Sequence, residues 1–138
     1  MFMDKNALIN KAIEMTERSY APYSKFHVGA ALLGKDGKVY TGCNVENAAY
    51  GPSNCAERTA VFKAVSEGCR EFDAIAIAGG LEDSNGKPQI NDYCPPCGVC
   101  RQVLAEFCDK DFKIVLTDGS GTIKEFTLGQ LLPESFSL

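Results

Sequence analysis

The chain has 138 residues, 45% of them hydrophobic, with 18 acidic and 14 basic side chains giving a net charge of −4. That length supports one domain with its own core, spanning residues 1–138, and the interspersed charge lacks the basic stripe of a nucleic-acid binder. The apolar runs are too short to span a membrane, and Met1-Phe2-Met3-Asp4-Lys5 has neither the basic start nor the apolar run of a signal peptide, so a cytoplasmic location is expected.

Asp4 is placed to cap a first helix running to about Arg18, with Leu8, Ala12 and Met15 as its apolar stripe and Ile9 and Ile13 beside it. Ala21-Pro22-Tyr23-Ser24 breaks the chain. Residues 27–33 read as a strand and 39–44 as its partner, joined by the turn signal Gly34-Lys35-Asp36-Gly37. Residues 44–54 are irregular and polar. A second helix begins near Cys55 and ends by Gly68, burying Ala60, Val61, Ala64 and Val65. The apolar run 74–78 predicts a central strand covered on both faces, followed by a long polar loop over 79–96. A third helix starts near Cys97 and carries Val99, Val103, Leu104 and Phe107 inward. Strands are expected at 113–117 and 122–126, then a short helical turn at 128–132. A hairpin feeding strand-helix-strand units predicts a mixed sheet with helices on both faces.

Seven cysteines, at 43, 55, 69, 94, 97, 100 and 108, cannot all pair within one chain, and a reducing compartment favours thiols and metal ligation over disulfides. The only histidine is His27, which reads as structural. Cys55-Ala56-Glu57-Arg58 and Pro96-Cys97-Gly98-Val99-Cys100 both fall at helix starts, where the partial positive charge stabilises thiolates. Three thiolates from Cys55, Cys97 and Cys100 can hold one zinc and leave a position for water, and Glu57 is close enough in sequence to reach that water. Competing readings are a redox dithiol, a closed four-cysteine structural site using Cys94, and for Glu57 a solvated first-turn acid.

Several blocks together resemble the small homotetrameric cytidine deaminase family. They are Cys55-Ala56-Glu57-Arg58-Thr59-Ala60, Pro96-Cys97-Gly98-Val99-Cys100-Arg101-Gln102, Tyr20-Ala21-Pro22-Tyr23-Ser24-Lys25-Phe26, Gly42-Cys43-Asn44-Val45-Glu46-Asn47 and Leu131-Leu132-Pro133-Glu134-Ser135-Phe136. The resemblance runs in order along nearly the whole chain. It implies a three-layer α-β-α fold on a mixed five-stranded sheet, and hydrolysis of cytidine and deoxycytidine to uridine and deoxyuridine with release of ammonia, in pyrimidine salvage.

The same resemblance implies the roles. Cys55, Cys97 and Cys100 bind a single Zn2+, and Glu57 carries protons between water, the ring N3 and the leaving ammonia. Arg58 offsets the charge of three thiolates. Asn44 and Glu46 bind the ribose 3′-hydroxyl, Phe26 packs against the pyrimidine, and Ala56 lies at the substrate. Tyr50 and Phe136 are lent to a neighbouring subunit's site in a homotetramer; Phe136 has the alternative of sealing its own core. The expected partner is a small nucleoside, with neither nucleic acid nor membrane. The loop over 80–93 is long for the family and predicts an added hairpin or flap, and Cys94 is an extra thiol. Rival assignments are a blasticidin-type deaminase, disfavoured by Asn44-Val45-Glu46-Asn47 and Phe136, and a zinc-stabilised binding protein without catalysis.

Overall fold

The computed structural model describes residues 4–138; Met1-Phe2-Met3, part of the segment read for a leader, lies outside the described residues. The elements run α1 (Lys5–Thr16), β1 (Phe26–Gly34), β2 (Val39–Cys43), α2 (Ala56–Ser66), β3 (Phe72–Leu81), α3 (Gly98–Phe107), β4 (Lys113–Thr117), β5 (Ile123–Thr127) and α4 (Leu128–Leu131). The five strands form one sheet in the order β2-β1-β3-β4-β5. Among the described residues β3 and β4 are the one parallel pair of strands in the sheet, because α3 provides the crossover that parallel neighbours need. The sheet is therefore mixed, as expected, and the β1–β2 turn places Gly37 at φ +85°, where a side chain would strain the backbone.

Alternate residues of the central strands face opposite layers. Ala31, Leu33, Ala76, Ala78 and Val115 pack with Leu8, Ile9 and Ala12 of α1. On the other face Ala30, Leu32, Ile75, Ile77, Ile114 and Leu116 pack with Ala60, Val61 and Ala64 of α2 and Leu104 of α3. Strands covered on both faces read as continuous apolar runs, which is why β1 and β3 alternate so weakly in sequence. Two glycines set how closely the helices approach. A methyl on Gly29 would stand 2.0 Å from the Ala12 carbonyl oxygen of α1, and one on Gly42 would stand 2.4 Å from the Ala56 carbonyl oxygen of α2. The sheet thus receives α1 on one side and α2 on the other at bare backbone.

Three sequence expectations are revised. Asp4 is the N-cap of α1, but its side chain makes no capping hydrogen bond, and the helix stops at Thr16. β3 continues past residue 78 to Leu81, because Gly79 and Gly80 pair with Val28 and His27 across the sheet. Val99 is 58% exposed rather than inward, since the first turn of α3 projects beyond the core that receives Val103, Leu104 and Phe107. The long loop is ordered: the Asp83 amide donates to the Lys87 carbonyl and the Gln89 amide to the Leu81 carbonyl, closing a small hairpin around Gly86 at φ +80°. This is the expected flap, and it lies back over β3, so that a methyl on Gly80 would stand 1.8 Å from the Gln89 carbonyl oxygen.

Candidate metal centre and active site

Cys55 is the N-cap of α2 and Cys97 the N-cap of α3, and Cys100 follows in the first turn of α3. Both helices pack on the same face of the sheet and open toward one corner. The Cys55 and Cys97 sulfurs lie 3.7 Å apart and those of Cys97 and Cys100 3.4 Å apart. All three fall within 4.8 Å of one another. A tetrahedral zinc with bonds of about 2.3 Å holds its sulfurs ~3.8 Å apart, so the group fits that ion without rearrangement. Cys94 lies outside this group, which removes the closed four-cysteine reading.

The electrostatics suit thiolates. The Cys100 thiol and the Arg58 guanidinium together pull the Cys55 thiol down to about 5. Arg58 Nη2 donates to Cys55 Sγ at 3.3 Å, and the Cys100 amide donates to Cys97 Sγ at 3.5 Å. Two helix N-termini add partial positive charge at the same corner. Arg58 thus touches one of the three convergent sulfurs.

Glu57 is not a solvated surface acid. It is 4% exposed, and its Oε1 has no hydrogen-bond partner. Burial, and secondarily the charge of Cys55, push its carboxyl up to about 7. A buried carboxylate oxygen without a partner is destabilising unless something occupies the space before it. Its pKa near neutrality is where a group both takes and gives protons.

Asn44 and Glu46 brace the segment that enters β1. The Asn44 side-chain oxygen accepts from the Val28 amide at 2.9 Å and from the Ser19 hydroxyl, while its Nδ2 donates to the Phe26 carbonyl at 2.9 Å. Glu46 Oε1 accepts from the Tyr23 and Ser24 amides, each at 3.1 Å, and its Oε2 from the Ser24 hydroxyl. An amide nitrogen has two donors and a carboxylate about four acceptor positions, so each retains capacity for another partner. Glu46 and Tyr50 line a cleft of about 330 Å³ with Tyr23, Ser24 and Ser53. Tyr50 is 95% exposed and Phe136 69% exposed, so Phe136 does not seal its own core. Ala56 is fully buried at the start of α2, and Phe26 is half-buried at the start of β1. His27 pairs with Glu82 at 2.8 Å, a structural tie between β1 and the flap.

Sequence reasoning missed the supports. Ser19 and Ser24 orient Asn44 and Glu46 from 25 and 22 residues away, a separation that leaves no local signal. Arg101 stands out in the sequence only as part of a motif. Its guanidinium donates to the Pro96 carbonyl and to the Leu131 carbonyl, both at 2.7 Å, tying the Cys97 turn to the end of α4.

Residues 3–116 match the family described as the cytidine and deoxycytidylate deaminase zinc-binding region. A cytidine deaminase of Halalkalibacterium halodurans is 51% identical over 98% of this chain and 96% of its own length. One from Sporosarcina psychrophila is 50% identical over 98% of this chain and 93% of its own. The crystal structure of a cytidine deaminase from Burkholderia pseudomallei superposes with a TM-score of 0.85 at 47% identity, covering 97% of this chain and 100% of that one. The matched region contains all three cysteines that meet in space. A likeness of this length, holding in sequence and in fold, makes the chain a member of the cytidine and deoxycytidylate deaminase zinc-binding family.

Proposed function

We propose that this protein hydrolyses cytidine to uridine and ammonia and treats deoxycytidine likewise, in pyrimidine salvage. The observation that carries the reading is the juxtaposition of the three convergent sulfurs of Cys55, Cys97 and Cys100 with the buried carboxyl of Glu57, whose Oε1 has no hydrogen-bond partner among the described residues. A metal without a proton carrier would suit a structural site, and a buried carboxyl without a metal has no evident purpose. Together they serve addition of water to an aromatic C–N centre and departure of an amine.

Cys55, Cys97 and Cys100 hold the zinc, which when bound lowers the pKa of a water so that hydroxide is available near neutral pH. Glu57 takes the proton lost by that water and delivers it to N3 of the cytosine ring, which makes C4 electrophilic. Glu57 then takes the remaining hydroxyl proton from the C4 adduct and hands it to the departing amine. Water adds at C4, the C4–N bond breaks, and cytidine plus water become uridine plus ammonia with no other reactant. Arg58 withdraws charge from Cys55, countering the excess negative charge of three thiolates. Phe26 lies against the base with Ala56 beside it, and Asn44 and Glu46 use their spare hydrogen-bonding capacity on the sugar hydroxyl. Their existing bonds to Val28, Phe26, Tyr23 and Ser24 support this role, because they hold both side chains in one orientation before substrate arrives.

Residues 1–138 act as one catalytic domain in the cytoplasm, in keeping with seven cysteines present as free thiols. The acting species is a homotetramer in which Tyr50 and Phe136 reach a neighbouring subunit's site; their exposure supports this. The test is the loss of cytidine absorbance with stoichiometric ammonia release by the zinc-loaded protein, with and without a chelator. Blasticidin S serves as the competing substrate. Turnover that survives complete removal of zinc would refute the reading, as would full zinc content without turnover of cytidine.

A further inference from the structure

Cys94 takes no part in holding the metal, yet it sits beside the chemistry. Its sulfur and the edge of the Phe26 ring flank the same bare face of β3. The point where a Gly79 methyl would stand is 2.9 Å from Cys94 Sγ and 3.1 Å from Phe26 Cε1. Gly79 pairs with Val28 and Leu81 with Phe26 in the β1–β3 register, so the ring leans diagonally across β3 toward the glycine. On the far side, Cys94 is near enough to Glu57, Cys55 and Cys97 for their charges to act on it. The backbone there is stiff: Pro95 and Pro96 follow directly, which fixes their own φ and holds Cys94 extended. Burial keeps the thiol up to about 12, so at neutral pH it is an uncharged, polarisable group.

We infer that Cys94 is a positioning residue for Phe26: its sulfur, seated against Gly79, is the rear stop that sets where the aromatic wall of the base pocket stands. The inference rests on the reading of Phe26 as that wall. Gly79 is part of the device, because any side chain there would fill the gap the sulfur and the ring share. Both atoms lie within 3.1 Å of that one point, so they are no more than about 6 Å apart, a range in which a sulfur near a ring edge also attracts it.

The test uses the zinc-loaded full chain, and native turnover of cytidine checks the underlying reading by itself. Cys94→Ala removes the stop. It is expected to raise KM for cytidine roughly 2- to 10-fold, the size of a lost sulfur–aromatic contact, with kcat and zinc content unchanged. Gly79→Ala drives the sulfur and the ring apart and should raise KM as well. In the double variant the deleted sulfur makes room for the new methyl, so KM should return toward the native value; a merely structural role predicts added damage instead. Cys94→Ser, nearly the same size, should stay closer to native than Cys94→Ala, and it carries the comparison should the alanine variant fail to fold. An unchanged KM in Cys94→Ala, with only a lower melting temperature, overturns the inference and leaves the deaminase reading intact. A native protein that holds zinc but leaves cytidine untouched overturns both.

Discussion

The position of the metal corner depends on one missing side chain, and Gly42→Ala tests that dependence. A methyl at Gly42 would meet the Ala56 carbonyl oxygen at 2.4 Å, the Ala60 amide nitrogen at 2.6 Å and the Ala60 Cα at 3.1 Å. All three are backbone atoms of α2 or its neighbourhood, so no side chain can swing aside. Restoring an ordinary contact of about 3.4 Å requires α2 to retreat by about 1 Å. That helix carries Cys55, Glu57 and Arg58, whereas Cys97 and Cys100 ride on α3 and stay behind. Zinc–ligand distances tolerate about 0.2 Å, so a 1 Å shift of one ligand against the other two opens the site. Overpacking of this kind destabilises by about 1–3 kcal/mol, or roughly 3–12 °C in Tm for a domain of this size. Misplacing Glu57 by the same distance lowers turnover on the order of 100-fold. The measurements are zinc per chain, Tm and kcat/KM for cytidine. Gly51→Ala is the control, since nothing lies within 4 Å of that position, and it should behave as native. Native zinc content and native turnover in Gly42→Ala would show that α2 can re-seat without the sulfurs, and the account of the site would be wrong.

Glu57→Gln should keep its zinc, because the carboxyl is not among the convergent ligands, and lose turnover by about 10²- to 10⁴-fold; near-native rates would remove Glu57 from the proton path. Asn44→Ala should raise KM for cytidine and also lower Tm, since it frees the Val28 amide and Phe26 carbonyl together; an effect on Tm alone would confine it to bracing β1. The acid limb of stability should involve Asp36, whose carboxyl is held below its ordinary value first by the Tyr40 hydroxyl at 2.7 Å and then by the Lys38 amide. A depressed folded-state pKa gives stability that is present above the ordinary carboxylate range and lost as pH falls through the folded value. Asp36→Asn should therefore flatten Tm against pH below about pH 4 while leaving zinc content alone; an unchanged acid limb would refute it.

Much of the fold is legible in the sequence because its signals are local. Gly34-Lys35-Asp36-Gly37 between two apolar runs specifies the hairpin, and the continuous apolar stretch at 74–78 marks a strand covered twice. The extension of β3 through Gly79 and Gly80 is not legible. Glycines normally weaken a strand, and these two are kept where Cys94 and Gln89 press against the backbone from elsewhere in the chain. Val99 shares a helical stripe with Val103 and Phe107, so periodicity places it inward. Only the three-dimensional extent of the core shows that the first turn of α3 overhangs it. Asn44 and Glu46 stand out as a polar pair after a strand, but what they grip lies across the fold.

The ligand types are written in the sequence, whereas the geometry that makes them useful belongs to the topology. Cys55 and Cys97 are 42 residues apart and meet only because α2 and α3 begin at the same end of one sheet face. That arrangement follows from β3 returning the chain between them, with Gly42 letting α2 lie low on β2 and Arg101 fixing the Cys97 turn to the C-terminal segment. It also accounts for the setting of Glu57, the acid proposed to carry the proton. Two residues beyond the N-cap ligand, on the helical face that continues with Ala60 and Val61, its side chain is near the metal corner and shielded from water. Shielding raises the carboxyl toward neutrality, and the adjacent thiolate adds to the rise. Arg58, one position on, is turned enough around the helix to reach back to Cys55. One turn of α2 therefore brings together Cys55, the buried carboxyl of Glu57 and the guanidinium of Arg58, the three groups the proposed mechanism uses, and the sheet beneath it sets their distance from the other two sulfurs.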